Sequence, residues 1–262
     1  MSEIDNSVIR VSRDGRFTTI TLCNPSKRNA LSLYVLEQLT LAFAHVGASD
    51  AEGIILNAEG PVFSAGHNFG EMKGAAETDA HHLFTVCSTL MKTVHRIPQP
   101  VVASVHALAT AAGCQLVATC DLAVAARSAS FALPGGKGGL FCHTPLVAVA
   151  RNLPQKRALE LALTGDAISA DTAMQWGFIN EVVDDDQLYE ATLALLSRAT
   201  RGSVYSKALG KQTFYEQIDM DEEHAYLHAT NVMASAVVMP DAQEGIAAFL
   251  DKRHPNFTQR PH

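Results

Sequence analysis

Two turns in the sequence carry residue types that suit chemistry at a backbone. The first is Phe63-Ser64-Ala65-Gly66-His67-Asn68-Phe69, a small-residue turn that follows an apolar strand and leads into a helix. Its small side chains let a ligand approach the main chain. The second is Ala107-Leu108-Ala109-Thr110-Ala111-Ala112-Gly113-Cys114-Gln115-Leu116, where a helix beginning near Ala111 directs unsatisfied N–H groups outward. Two such donors aimed at one point stabilise the negative charge of an enolate or a tetrahedral oxyanion. Small residues at tight turns also serve close helix packing, and the turns alone leave both readings open.

The elements that must hold these turns alternate between β-type runs and helical patterns. Residues 7–11 and 18–22 read as strands, residues 32–46 as a helix, and residues 53–57 as a short apolar strand. After the punctuation of Pro98 and Pro100, residues 101–105 read as a buried strand, 111–119 as a small-residue helix and 122–126 as a strand. Helical spacing then covers residues 146–152, 155–164 and 170–176, an apolar run at 178–183 closes the unit, and the tail from Gln187 to Lys252 reads as further helices. This alternation predicts an α/β fold, with residues 1–200 as the core and residues 201–262 as a helical appendage, divided near Thr200 to Ser203.

With 262 residues, 47% of them hydrophobic and 18% charged, the chain can bury a full core. A net charge of −7 provides no general attraction to nucleic acid or to an anionic membrane, so neither is an expected partner and an anionic ligand needs a local basic patch. No apolar run has the roughly 20 residues of a membrane span. The segment from Met1 to Arg16 is polar and lacks a signal or transit pattern, and the five cysteines show no CxxC spacing, so a reducing, cytoplasmic setting is expected. His67 with Glu71, and the adjacent His81 and His82, fall short of a zinc ligand set, so no metal is expected. Gly135-Gly136-Lys137-Gly138-Gly139 lacks the spacing of a phosphate loop and reads as a turn.

Six motifs in register make a family resemblance specific. They are Asn24-Pro25-Ser26-Lys27-Arg28-Asn29-Ala30-Leu31; Phe63-Ser64-Ala65-Gly66; Ala111-Ala112-Gly113-Cys114-Gln115-Leu116 with Cys120-Asp121; Leu163-Thr164-Gly165; residues 176–183; and residues 244–253. Together they resemble the enoyl-CoA hydratase/isomerase (crotonase) superfamily over nearly the whole chain. Residues 131–144 and 243–253 are most similar to its enoyl-CoA hydratase domain-containing protein 3 branch. The resemblance implies a ClpP-like spiral of ββα units with a C-terminal helical trimerisation region, assembled as a homotrimer or as a hexamer of two trimers. It implies a lyase or isomerase of fatty acid metabolism that takes an acyl-CoA ligand, with no cofactor beyond the coenzyme A of the substrate. Carried over by position, the oxyanion donors are the N–H groups of His67 and Ala112. Ala112 replaces a usual glycine, which is tolerable if its φ is negative. Lys27, Arg28, Ala30, Ala65, Asn68 and Phe69 match the coenzyme A region. Phe249 and Lys252 match tail positions that reach a coenzyme A on a neighbouring subunit; as bare residues these cations read equally as solvated surface.

The same resemblance marks what is missing. Hydration needs a base to activate water and an acid for the α-carbon, and the hydratases use two glutamates. Their positions hold Gln115, which has no proton to exchange near neutral pH, and Gly135, which has no side chain. Some relatives place an aspartate about eight residues beyond the second glutamate, where this chain has His143. That histidine reads either as a base or nucleophile at the acyl group or as a hydrogen-bonded structural residue at a helix start. Two functions follow: an acyl-CoA enzyme working through an enolate-type intermediate with His143 and Gln115 replacing the acids, or an acyl-CoA-binding regulatory protein without turnover.

Overall fold

The computed structural model describes residues 4–260; residues 1–3 and 261–262, at the ends of the two expected segments, lie outside the described residues. In chain order the elements are β1 (Ile9–Asp14), β2 (Phe17–Leu22), α1 (Leu33–Gly47), β3 (Gly53–Ala58), α2 (Phe69–Met72), α3 (Glu77–Arg96), β4 (Val101–Val105), β5 (Ala109–Thr110), α4 (Ala112–Thr119), β6 (Leu122–Ala126) and β7 (Ser130–Ala132). There follow α5 (His143–Asn152), α6 (Gln155–Thr164), β8 (Ile168–Ser169), α7 (Ala170–Gln175), β9 (Glu181–Val183), α8 (Leu188–Ala199), α9 (Val204–Gln217), α10 (Glu222–Val237) and α11 (Pro240–Leu250).

A six-stranded sheet runs in the order β1-β2-β3-β4-β6-β9, parallel throughout except for the antiparallel β1–β2 pair. The strands that follow β4 and β6 leave it: β5 pairs with β7, and β7 with β8, in a second sheet. The units that begin with β4 and β6 therefore place their first strand in the large sheet and their second in the small one, whereas β1 and β2 both lie in the large sheet. This is the crotonase fold, α/β with a C-terminal helical region.

Side chains alternate across a strand, so a parallel sheet buried on both faces needs apolar residues at every position. Ile54, Leu56, Val101, Ala103, Val105, Ala123 and Ala125 enter the main core beneath α1, α3 and α4. Their neighbours Ile55, Val102, Val124 and Ala126 form a second core with Leu188, Leu195 and Leu196 of α8. The link through residues 200–203 lies between α8, seated on that second face, and α9.

Strands 101–105 and 122–126 and helix 155–164 stand where the sequence puts them. Helix α5 begins three residues earlier than its apolar spacing suggests, at His143, because Pro145 suits a first turn that needs no N–H from it. The 20-residue α3 is not anticipated at all. Its buried residues Leu83, Cys87, Leu90, Met91 and Val94 do follow helical spacing, but Thr, Ser and His between them mask the pattern.

Candidate functional site

The two turns are laced together by their backbones. Phe63 N–H donates to Leu108 O (2.9 Å) and Thr110 N–H to Ser64 O (3.0 Å), while Ala111 N–H donates to Ala132 O (2.9 Å) in the second sheet. Gly66 has φ +83°, and a Cβ on it would fall 2.9 Å from Ala111 Cβ and 3.2 Å from Ala112 N. Only glycine allows both that backbone and that approach. The peptide entering His67 therefore lies against the first residue of α4. Among the described residues, neither His67 N–H nor Ala112 N–H donates to a protein acceptor. Two unspent donors thus stand side by side, the arrangement that stabilises a developing oxyanion.

Ala112 has the helical backbone that makes its methyl group tolerable, whereas the residue before it does not. Ala111 caps α4 with φ 51° and ψ −118°, a conformation that costs a non-glycine residue about 1–3 kcal/mol. This backbone turns the chain from β5 into α4 directly beside Gly66.

These donors open into a cavity of about 500 Å³. Ala65, His67, Phe69, Ala112, Gly135 and His143 all line it, together with residues that the sequence did not single out: Met72 of α2, Phe84 of α3, and Thr110, Leu140 and Phe141. Most of the wall is apolar, as a small-molecule pocket requires. Phe84 was hidden with α3, and the segment 134–142 folds back over the cavity through contacts that no local pattern encodes.

The remaining expected residues stand further off. Gln115 is buried and is not among the residues lining the cavity; its Oε1 faces Cys87 Sγ of α3 at 3.9 Å. Lys27 and Arg28 are exposed and Ala30 half-buried on a turn that Arg28 O joins to Ala65 N (3.0 Å), and none of the three lines the cavity. Asn68 caps α2, its Oδ1 accepting from Gly70 N (3.0 Å). Phe249 (82% exposed) and Lys252 lie at the end of α11, apart from this cavity.

The two histidines of the wall differ. His143 is exposed at the start of α5, with Phe141 tilted against its ring at 5.2 Å, and its ring hydrogen-bonds no protein group among the described residues. His67 is packed edge-on to Phe84 (5.3 Å) and its Nδ1 lies 3.2 Å from Leu31 O. Burial holds the His67 imidazole below its ordinary pKa, more strongly than the Leu31 carbonyl and Glu71 raise it. Cys142, which caps α5, accepts from Gly135 N (3.3 Å), and burial pushes its thiol up.

The enoyl-CoA hydratase/isomerase family description matches residues 13–260. The chain belongs to the enoyl-CoA hydratase/isomerase family. The rat protein named enoyl-CoA hydratase domain-containing protein 3, mitochondrial, is 47% identical over 238 residues, covering 90% of this chain and 79% of its own. Among solved structures, an enoyl-CoA hydratase of Mycobacterium smegmatis superposes with a TM-score of 0.93 at 42% identity, covering 95% of this chain and 98% of that one. The human enoyl coenzyme A hydratase domain-containing protein 3 superposes at 0.91, also with 42% identity, over 95% of this chain and 100% of its own. The resemblance to that branch is thereby shown.

These relatives overturn the expectation of a cytoplasmic protein, since the rat, mouse and human proteins matched at 44–47% identity are all named as mitochondrial. The polarity of residues 1–16 and the lack of CxxC spacing, on which that expectation rested, do not distinguish the two compartments. Among the described residues, no helix is long and apolar enough to cross a membrane.

Proposed function

We propose that the chain binds acyl-CoA thioesters and polarises their carbonyl between the N–H groups of His67 and Ala112, stabilising an enolate-type oxyanion. The observation that carries this reading is the pair of unspent donors at the wall of an apolar cavity of about 500 Å³. The relatives named enoyl-CoA hydratases support the thioester class. In this reading the acyl group lies against Met72, Phe84, Leu140 and Phe141, coenzyme A passes Lys27 and Arg28, and coenzyme A enters only as part of the substrate.

A homotrimer, or a hexamer of two trimers, is part of the proposal. Tyr226 and Met233 (each 69% exposed) line a groove between α9 and α10, and Phe249 and Leu250 are similarly bare. That much uncovered apolar surface suits burial against further copies of the chain. Lys252 and Phe249 then serve a coenzyme A held by a neighbouring subunit.

One observation favours a second reading, binding without hydration: the segment 134–142 fills the space into which a side chain at position 135 would project. Calorimetric titration with butyryl-CoA, followed by mass spectrometry of a panel of saturated and unsaturated acyl-CoA species, separates these. Binding with a new product mass supports an enzyme and identifies its reaction; binding with no product supports the second reading. Failure of every acyl-CoA to bind overturns both.

A further inference from the structure

Two polar atoms in the wall of the acyl cavity are buried and have no partner: His67 Nε2 and Thr110 Oγ1. Orphaned buried polar atoms are uncommon, and each destabilises the fold unless a ligand or water completes it. The His67 ring is fixed in one tautomer. A carbonyl oxygen can only accept, so the contact with Leu31 O requires the proton on Nδ1 and leaves Nε2 a bare lone pair. Nδ1 is spent on Leu31, Phe84 packs edge-on and His67 lines the cavity, so the cavity is where a partner for Nε2 is to be sought. The same residue offers its backbone N–H to the carbonyl.

We propose that the His67 imidazole is the proton-accepting group of this site, taking a proton from the α-carbon of a thioester whose carbonyl is held by the N–H groups of His67 and Ala112. The inference rests on the acyl-CoA reading above and narrows its chemistry to α-proton transfer. The α-carbon–hydrogen bond breaks, its proton passes to Nε2, and its electron pair moves onto the thioester oxygen as an enolate. Return of a proton from the imidazolium restores the thioester, so the step balances without a further reactant. Thr110 Oγ1 supplies a second hydrogen-bonding group on the same wall. The missing glutamates then mean a site without water-activating carboxylates, not a site without a base.

The titratable groups around His67 are Glu71 of α2 and, from the opposite wall, Cys142 and His143; α3 presents Phe84. Exchange should therefore rise with pH through an inflection below the ordinary histidine value and then level off, because the neutral ring is the active form.

The test is hydrogen–deuterium exchange at the α-carbon of butyryl-CoA in D2O, read by mass spectrometry, with affinity measured separately by titration. Wild-type protein should incorporate deuterium; His67→Gln should lower the rate by about 10²–10⁴-fold at similar affinity. Rates are counted per binding-competent molecule, so even a partly unfolded variant reports the chemistry of its folded fraction. Butyryl-CoA that binds without exchange, exchange unchanged in His67→Gln, or a rate that rises only with a thiol-like inflection would overturn the proposal while leaving the acyl-CoA reading intact. Absence of butyryl-CoA binding overturns both.

Discussion

A Cβ built on Gly135 would penetrate the Leu140 carbonyl oxygen and lie 2.7 Å from Cys142 Sγ. The Leu140 N–H in turn donates to Gly135 O (3.0 Å), so the segment closes on itself at the position where hydratases carry their second carboxylate. The obstacle to a glutamate there is crowding by backbone and thiol, since Gly135 is not among the glycines with positive φ.

Gly135→Ala should consequently destabilise the protein by about 1–3 kcal/mol, the usual cost of overpacking, seen as a lower urea midpoint. Gln115→Glu with Gly135→Glu should fail to raise crotonyl-CoA hydration, because the second carboxylate cannot be seated without rebuilding residues 135–142. A hydration rate in the double variant well above either single one would show that the segment yields.

Wild-type hydration of crotonyl-CoA should fall below that of a two-glutamate hydratase by at least about 10²-fold, since each missing acid–base group commonly removes that much. A spectrophotometric assay of the thioester's conjugated absorbance measures it directly.

Ala111→Gly should stabilise the protein. Release of a left-handed backbone worth about 1–3 kcal/mol outweighs the about 0.5–1 kcal/mol of added unfolded-state entropy, so the thermal midpoint rises. Ala111→Val, with a β-branched side chain at the same φ of 51°, should lower it sharply.

Asp121 anchors the C-terminal helices. Its Oδ2 accepts from Val101 N (2.7 Å) and Lys211 Nζ (2.8 Å), and its Oδ1 from Tyr215 OH (2.9 Å), with Lys211 only 7% exposed. Asp121→Ala leaves a buried ammonium unpaired and should cost about 3–5 kcal/mol in denaturant unfolding. Proteolysis should then cut first between α8 and α9.

Stability should also fall on mild acidification. His67 and His95 both have folded-state pKa values lowered by burial from the ordinary 6.5. Between that value and their folded values the unfolded chain holds more protons, so stability is complete above 6.5 and is lost as pH falls through the folded pKa values. Urea unfolding across this window should show a positive slope of stability against pH, and His67→Gln should reduce it.

Much of the frame was readable in the sequence because parallel strands buried on both faces leave unbroken apolar runs, as at residues 101–105 and 122–126. The paired turns were readable because Gly66 and the small residues around Ala112 mark close backbone approach. The rest depends on tertiary contact. Phe84 reaches the cavity on a helix whose apolar stripe is diluted by polar residues, and the orphaned Nε2 of His67 exists only because Leu31 claims the other ring nitrogen. The sequence pointed to the N–H of His67, while Gln115, offered with His143 in place of the missing acids, packs toward Cys87.

Infrared difference spectroscopy of bound butyryl-CoA, isotopically labelled at the thioester carbonyl carbon, tests the paired donors most directly. Two N–H groups converging on the carbonyl oxygen should shift its stretching band below the position it has in water. A bound ligand whose carbonyl band stays at its aqueous position would contradict the role of His67 and Ala112.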